Sequence, residues 1–210
     1  MGRLLPVLVG VMLVAACQNG THAVFSPAPT PTPHVAPTAA ILQPADVPAA
    51  LHVCLGSGPI DVYISVLRTA APDLATRDAN YWTELQSAGA ISGAISVYAS
   101  NGAACNAELG TAGNAKSLTS LVVEFQDEGA ADRAWQSGVF GFTPTPVGEV
   151  IDGMTRGTST GLGLSSFVYT RPPVALACWR RSVFVALVVA GNVDAGAFKA
   201  ATAAVDPRLN

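Results

Sequence analysis

The side chains able to do chemistry in this chain of 210 residues are few and scattered. There are three histidines, His22, His34 and His52. Hydrolytic triads and most zinc sites need histidine in a set relation to a nucleophile or to further ligands. His52, the one histidine within the expected folded part, stands alone and reads as a structural residue. The serines offer no nucleophile motif: Gly161-Leu162-Gly163-Leu164-Ser165 is not G-x-S-x-G, and S-x-x-K is absent. Gly153, Gly157, Gly161 and Gly163 make a glycine-rich stretch without the G-x-x-x-x-G-K of a phosphate loop, so it reads as a flexible loop. Asp73, Asp78, Glu84, Glu108, Asp127, Glu128, Asp132, Glu149 and Asp152 are not spaced as an EF-hand, although two of them meeting in a cleft would serve as acid and base. Trp82, Trp135 and Trp179 fall on the apolar phase of their elements and read as core. Arg180 and Arg181 alternate to opposite faces of a strand as solvated charges. No catalytic, metal-binding or cofactor-binding residue is assigned.

The start of the chain carries an address. Met1-Gly2-Arg3 is cationic and Leu4 to Ala16 contains no charge, the pattern of a signal-peptide core over residues 1–16. A spanning helix needs about 20 apolar residues, and this shorter run ends at Cys17 followed by polar Gln18 and Asn19. Leu13-Val14-Ala15-Ala16-Cys17 resembles the lipobox of bacterial lipoproteins, with small residues at the two positions before the cysteine. The resemblance implies diacylglycerol on the Cys17 thiol, cleavage before it, and acylation of the new amino group by a chain such as palmitate. Each buried CH2 contributes about 0.8 kcal/mol, so two or three chains form a firm membrane anchor. The implied location is the extracytoplasmic face of the cell membrane. Gln18 resembles the pattern sorted onward to an outer membrane where a host has one.

Residues 17–43 read as a tether. Pro27, Pro29, Pro31, Pro33 and Pro37 lie among Thr and Ala, a composition that stays extended, and about 20 such residues at about 3.1 Å each reach roughly 60 Å. His22 and His34 fall in it. Residues 44–210 then have the size of a single domain with a sizeable core. Half of the whole chain is hydrophobic and only 12% is charged. Once Arg3 leaves with the signal, ten basic residues face fourteen acidic ones, a net charge near −4 that would repel phosphate backbones. Nucleic acid is excluded as a partner.

With Cys17 committed to lipid, Cys54, Cys105 and Cys178 remain in an oxidising compartment. Cys54 precedes Gly56-Ser57-Gly58-Pro59 and Cys105 follows Asn101-Gly102, turns that accommodate a bridge, so Cys54–Cys105 is the expected pairing, although sequence alone does not fix the connectivity. Cys178, in the strand-like run Val174 to Trp179, is left as a small buried hydrophobe.

The spacing predicts helices from Pro59 through Leu67, from Thr76 to Ala88, from the Asp127 cap to near Gly138, and from the Asp194 cap to about Val205. Strands are expected through Ile95 to Ala99, Leu121 to Gln126, Leu164 to Thr170, Val174 to Arg180 and Ser182 to Val189, with a long loop from Phe140 to Gly163. The reading is α+β, an antiparallel sheet of about five strands with helices packed mainly on one face. The strand into Asp127-Glu128-Gly129-Ala130-Ala131 and the stretch Ala177-Cys178-Trp179-Arg180-Arg181 distantly resemble extracellular sensor and lipoprotein domains of high-GC bacteria, such as the sensor domain of mycobacterial receptor kinases. That resemblance implies binding outside the membrane and supplies no site residues. The expectation is a non-enzymatic, sensor-like lipoprotein domain of the cell envelope, binding a small apolar ligand or an envelope protein between sheet and helices. Its rivals are an extracytoplasmic hydrolase acting through carboxylates and a structural envelope protein.

Overall fold

The computed structural model describes residues 34–144, 146, 149 and 151–209. The expected signal peptide, Cys17 and the tether up to residue 33 lie outside the described residues. In chain order the elements are α1 (Pro37–Ala40), β1 (His52–Val53), β2 (Gly58–Pro59), α2 (Ile60–Ala70), α3 (Pro72–Ser87), β3 (Ala90–Ala99) and α4 (Gly102–Cys105). There follow β4 (Ser117–Phe125), α5 (Glu128–Ser137), β5 (Met154–Arg156), β6 (Ser166–Arg171), β7 (Val174–Arg181), β8 (Phe184–Gly191) and α6 (Ala195–Val205).

Local chemistry sets these boundaries. Asp127 caps α5 by accepting from the Ala130 backbone N–H at 2.7 Å, and Asp194 caps α6 by accepting from that of Ala197 at 2.8 Å. On α2, Ile60, Tyr63, Ile64 and Leu67 recur at helical spacing and are all buried. The strands join in the order β1-β3-β4-β8-β7-β6-β5, with β2 also on β3, and every pairing is antiparallel.

The fold is α+β on an antiparallel sheet, as the sequence indicates, but the sheet has eight strands rather than about five. The additional ones, β1, β2 and β5, are edge pieces of two or three residues, too short to show a period. The longer helices pack mainly on one face, as expected, with α2, α3 and α5 together there, but α6 covers the other face. On β8, Val185, Leu187 and Val189 join one core with the helices α2, α3 and α5, while Phe184, Ala186, Val188 and Ala190 join a second core with Phe198, Ala201 and Val205 of α6. A strand apolar at successive positions needs cover on both sides. The two Asp-capped helices that follow strands thus pack on opposite faces.

The folded part begins before the expected boundary at residue 44. Ala40, Ile41 and Leu42, read as tether, are buried in the second core. The Leu42 N–H donates to Ser120 Oγ at 2.8 Å, and His34 sets its ring edge-on to Phe184 at 5.7 Å between centroids. Among the described residues, no helix is long and apolar enough to cross a membrane.

Candidate functional site

Cys54 and Cys105 form a disulfide, with Cα atoms 5.4 Å apart, tying the turn before β2 to α4. Cys178 is free and fully buried in the first core, and burial pushes its thiol well above the usual range, which keeps it protonated. His52 lies exposed on the edge strand β1 opposite Ala99. Arg180 and Arg181 do point to opposite faces, and each meets an acid. Arg180 approaches Asp132 of α5 at 3.3 Å, and Arg181 donates to Asp206 at 2.7 Å. Trp82, Trp135 and Trp179 are all buried in the cores. Among the described residues, no group of three or more His, Cys, Asp or Glu is placed to hold a metal ion.

One carboxyl stands out. Asp78 on α3 is buried, and burial raises its pKa to about 6, with the Glu108 charge adding and Arg77 opposing. Beside it, burial and the Asp78 charge raise the Tyr63 phenol, whose hydroxyl has no hydrogen-bond partner among the described residues. Arg77 and Glu108 pair at 3.4 Å on the surface. Asp78 lines none of the four clefts described next.

Three of those clefts take part of their walls from the long segment between α5 and β6. It leaves α5 on the first face, with Phe140 in the first core, supplies edge strand β5, and finishes on the second face, with Leu162 in the second core. It wraps the sheet edge and walls a cleft on either side. On the first face, Phe142, Ile151 and Met154 from this segment and Phe167, Tyr169 and Leu176 from the sheet enclose about 360 Å³. A smaller space of about 190 Å³ adjoins it at Gly141 and Thr143, under Tyr81 and Leu85 of α3.

The largest of the four clefts, about 560 Å³, lies on the second face between α6 and the sheet edge. Leu162, Val168 and Phe198 give it apolar walls, and Lys199, Thr202 and Asp206 are its polar lining. A further space of about 350 Å³ adjoins it at Phe198 and continues along the seam past Val174, Ala175 and Val193. The neutral and acidic polar groups are already engaged. Thr202 Oγ1 donates to the Phe198 carbonyl at 3.0 Å, Thr160 Oγ1 shares a hydrogen bond with Ser166 Oγ at 2.6 Å, and Asp206 holds Arg181. Lys199 is exposed and enters no salt bridge among the described residues.

Of the residues weighed in the sequence for chemistry, only Gly161 of the glycine-rich stretch lines this cleft. Its walls come from β6, α6 and the end of the glycine-rich loop, whose residues look individually like ordinary core. The sequence signal available here is the length of the loop itself, since long irregular segments in compact domains are commonly lids or binding loops. Compared with known proteins, the chain matches no family model, no curated protein and no solved structure.

Proposed function

We propose that the chain is a lipoprotein, anchored through acyl chains on Cys17 at the extracytoplasmic face of a membrane, whose folded part is a non-enzymatic, sensor-like module that binds a small apolar ligand. The observation that carries the binding half is the cleft of about 560 Å³ between α6 and the sheet, walled by Leu162, Val168 and Phe198 and bordered by the end of the long loop. Sites for small molecules are concave and mostly apolar, with a few placed polar groups, and this cleft has that form. The anchoring half rests on the lipobox-like residues Leu13 to Cys17 after an uncharged run.

The test uses N-phenyl-1-naphthylamine, a neutral apolar fluorophore, titrated into the full chain in detergent-free buffer. One saturable site is expected. Ala203→Trp should abolish it, because Ala203 lines the cleft on the exposed side of α6 and an indole there fills the space without entering the core. Absence of saturable binding by the unaltered chain would overturn the reading, and turnover of ester or glycoside substrates by the purified protein would favour the hydrolase.

A further inference from the structure

Resting on the ligand-binding reading above, we infer that the α6 cleft takes a single-chain amphiphile with an anionic head, the alkyl chain lying along Leu162, Val168 and Phe198 and the head group held by Lys199. The argument begins with shape. The cleft of about 560 Å³ shares Phe198 with the adjoining space of about 350 Å³, which runs past Val174, Ala175 and Val193, so apolar lining extends along the seam between helix and sheet on both sides of that ring. A path of that form suits an extended alkyl chain better than a compact ring system.

The polar lining then sets the head group. Thr160, Thr202 and Asp206 have their hydrogen-bonding capacity turned toward Ser166, the Phe198 carbonyl and Arg181, so they offer little to a ligand rich in hydroxyls or amides. A ligand with many polar groups would lose its hydration without recovering it here. The Asp206 carboxylate is neutralised by the Arg181 guanidinium, whereas the Lys199 ammonium at the rim enters no salt bridge among the described residues. A cation so placed beside an apolar trough complements one anionic group on an apolar chain.

The loop supplies one wall. Leu162, 7% exposed, is the side chain that the segment inserts into the second core, whereas Leu164, 83% exposed, points to solvent two residues on. Gly161 and Gly163 flank Leu162 with φ of +80° and +100°, conformations that other residues adopt only with strain. The turn is held by hydrogen bonds: the Gly161 N–H donates to the Thr158 carbonyl at 3.1 Å, the Leu162 N–H to Thr160 Oγ1 at 3.0 Å, and the Gly163 carbonyl accepts from Ser166 Oγ at 2.6 Å. Leu162 is thus presented as a fixed apolar wall against which an alkyl chain lies.

Isothermal titration of the full chain in detergent-free buffer, below micelle concentrations, compares three probes of one chain length: dodecanoate, dodecanol and dodecyltrimethylammonium. Dodecanoate is expected to bind about two- to five-fold more tightly than the other two, the advantage of one exposed ion pair. Lys199→Glu should erase that preference while leaving dodecanol affinity within two-fold, and Lys199→Arg should keep it. Ala203→Trp should weaken all three more than ten-fold with an unchanged thermal melt. Equal binding of the three probes, or a dodecanoate preference that survives Lys199→Glu, overturns the head-group assignment and leaves the apolar-binding reading standing. Binding of none overturns both.

Discussion

Arg208 closes the two ends of the described chain on each other through Asp46. Its Nη1 donates to Asp46 Oδ2 at 2.7 Å and its Nη2 to Oδ1 at 2.9 Å, while Nη1 also donates to the Ile41 carbonyl at 3.1 Å. This two-pronged geometry fixes the segment carrying Ile41 and Leu42 over the second core, beside the 3-10 turn that follows α6. Hydrogen bonds to charged groups contribute about 1.5–3 kcal/mol each when partly buried. Arg208→Ala should therefore lower stability by about 2 kcal/mol in urea melts. It should also raise hydrogen exchange over residues 37–47, and stability loss without that local opening would show that the clasp does not hold the segment.

The same pair gives a pH dependence of known sign. The hydrogen bond from Arg208 holds the Asp46 carboxyl below its ordinary value of 3.8, although burial opposes it. A carboxyl with a depressed folded pKa contributes stability that is present above pH 3.8 and lost as pH falls through the folded value. In Asp46→Asn that loss should disappear from the acid limb of a stability profile, and an unchanged acid limb would remove the pair from the account.

Asp78 acts in the opposite direction. Its folded pKa of about 6 lies above the ordinary 3.8, so between these values the folded state binds more protons than the unfolded one. Stability contributed by this residue therefore falls as pH rises from about 4 through about 6. Asp78→Asn should stabilise the protein at pH 7.5 by roughly 1–3 kcal/mol, since each pKa unit corresponds to about 1.4 kcal/mol, and should change little near pH 4. Thermal melts at the two pH values decide it: equal effects at both would mean that the carboxyl charge is not what burial penalises.

Much of this arrangement was legible in the residues, and what escaped did so for physical reasons. Asp127 and Asp194 announced α5 and α6 because a cap is a local device, readable from one side chain and the next turn. The pairing of Cys54 with Cys105 was legible from turns that each flank a cysteine. The two-sided burial is harder to read, because Leu121, Val123 and Phe125 alternate with Val122, Glu124 and Gln126 in the manner of a strand with one apolar face. Leu118 and Val122 on its other face are fully buried too, and the apolar Phe184 to Ala190 run of β8 carried the same message. Ile41 and Leu42 were hidden by the prolines before them, which made a packed segment read as spacer. The cleft was the least legible feature, because Val168, Phe198 and Lys199 come together only when α6 crosses the sheet edge. No spacing along the chain encodes that crossing.

The disulfide bears on stability through the chain it closes. Cys54 and Cys105 are 51 positions apart, and a loop of that size corresponds to about 4 kcal/mol in the chain-entropy account. Cys54→Ser with Cys105→Ser should lower the unfolding free energy by about 2–4 kcal/mol. The processed chain, with Cys17 blocked by lipid, should show one free thiol in denaturant, at Cys178. Peptide mapping that links Cys178 to another cysteine would contradict the bridge.

Membrane attachment is tested at Cys17, since the thiol is the acceptor that the lipobox-like sequence provides. Cys17→Ser should release the protein into the soluble fraction of producing cells, and persistence in membranes after high-salt washing would refute the anchor.

The wrap of the long loop around the sheet edge depends on Gly153, just before β5. Its φ is +79°, and a Cβ there would stand 2.5 Å from the Thr170 carbonyl oxygen, a backbone atom that cannot swing aside. The Thr170 N–H meanwhile donates to the Gly153 carbonyl at 2.9 Å, so this point pins the loop to β6. Gly153→Ala should break that junction at a cost above about 1 kcal/mol, combining backbone strain with the steric clash. The two cores do not depend on β5, so the molecule should still melt cooperatively. The expected signature is local: faster hydrogen exchange over residues 151–163, together with several-fold weaker binding of N-phenyl-1-naphthylamine, because Leu162 loses the anchored segment that presents it to the cleft. Gly161→Ala, also at positive φ but with no atom near the added Cβ, should leave β5 protected and probe affinity within two-fold. If Gly153→Ala frees the loop and probe affinity stays the same, the wrap is a brace for the sheet edge and not a wall of the site.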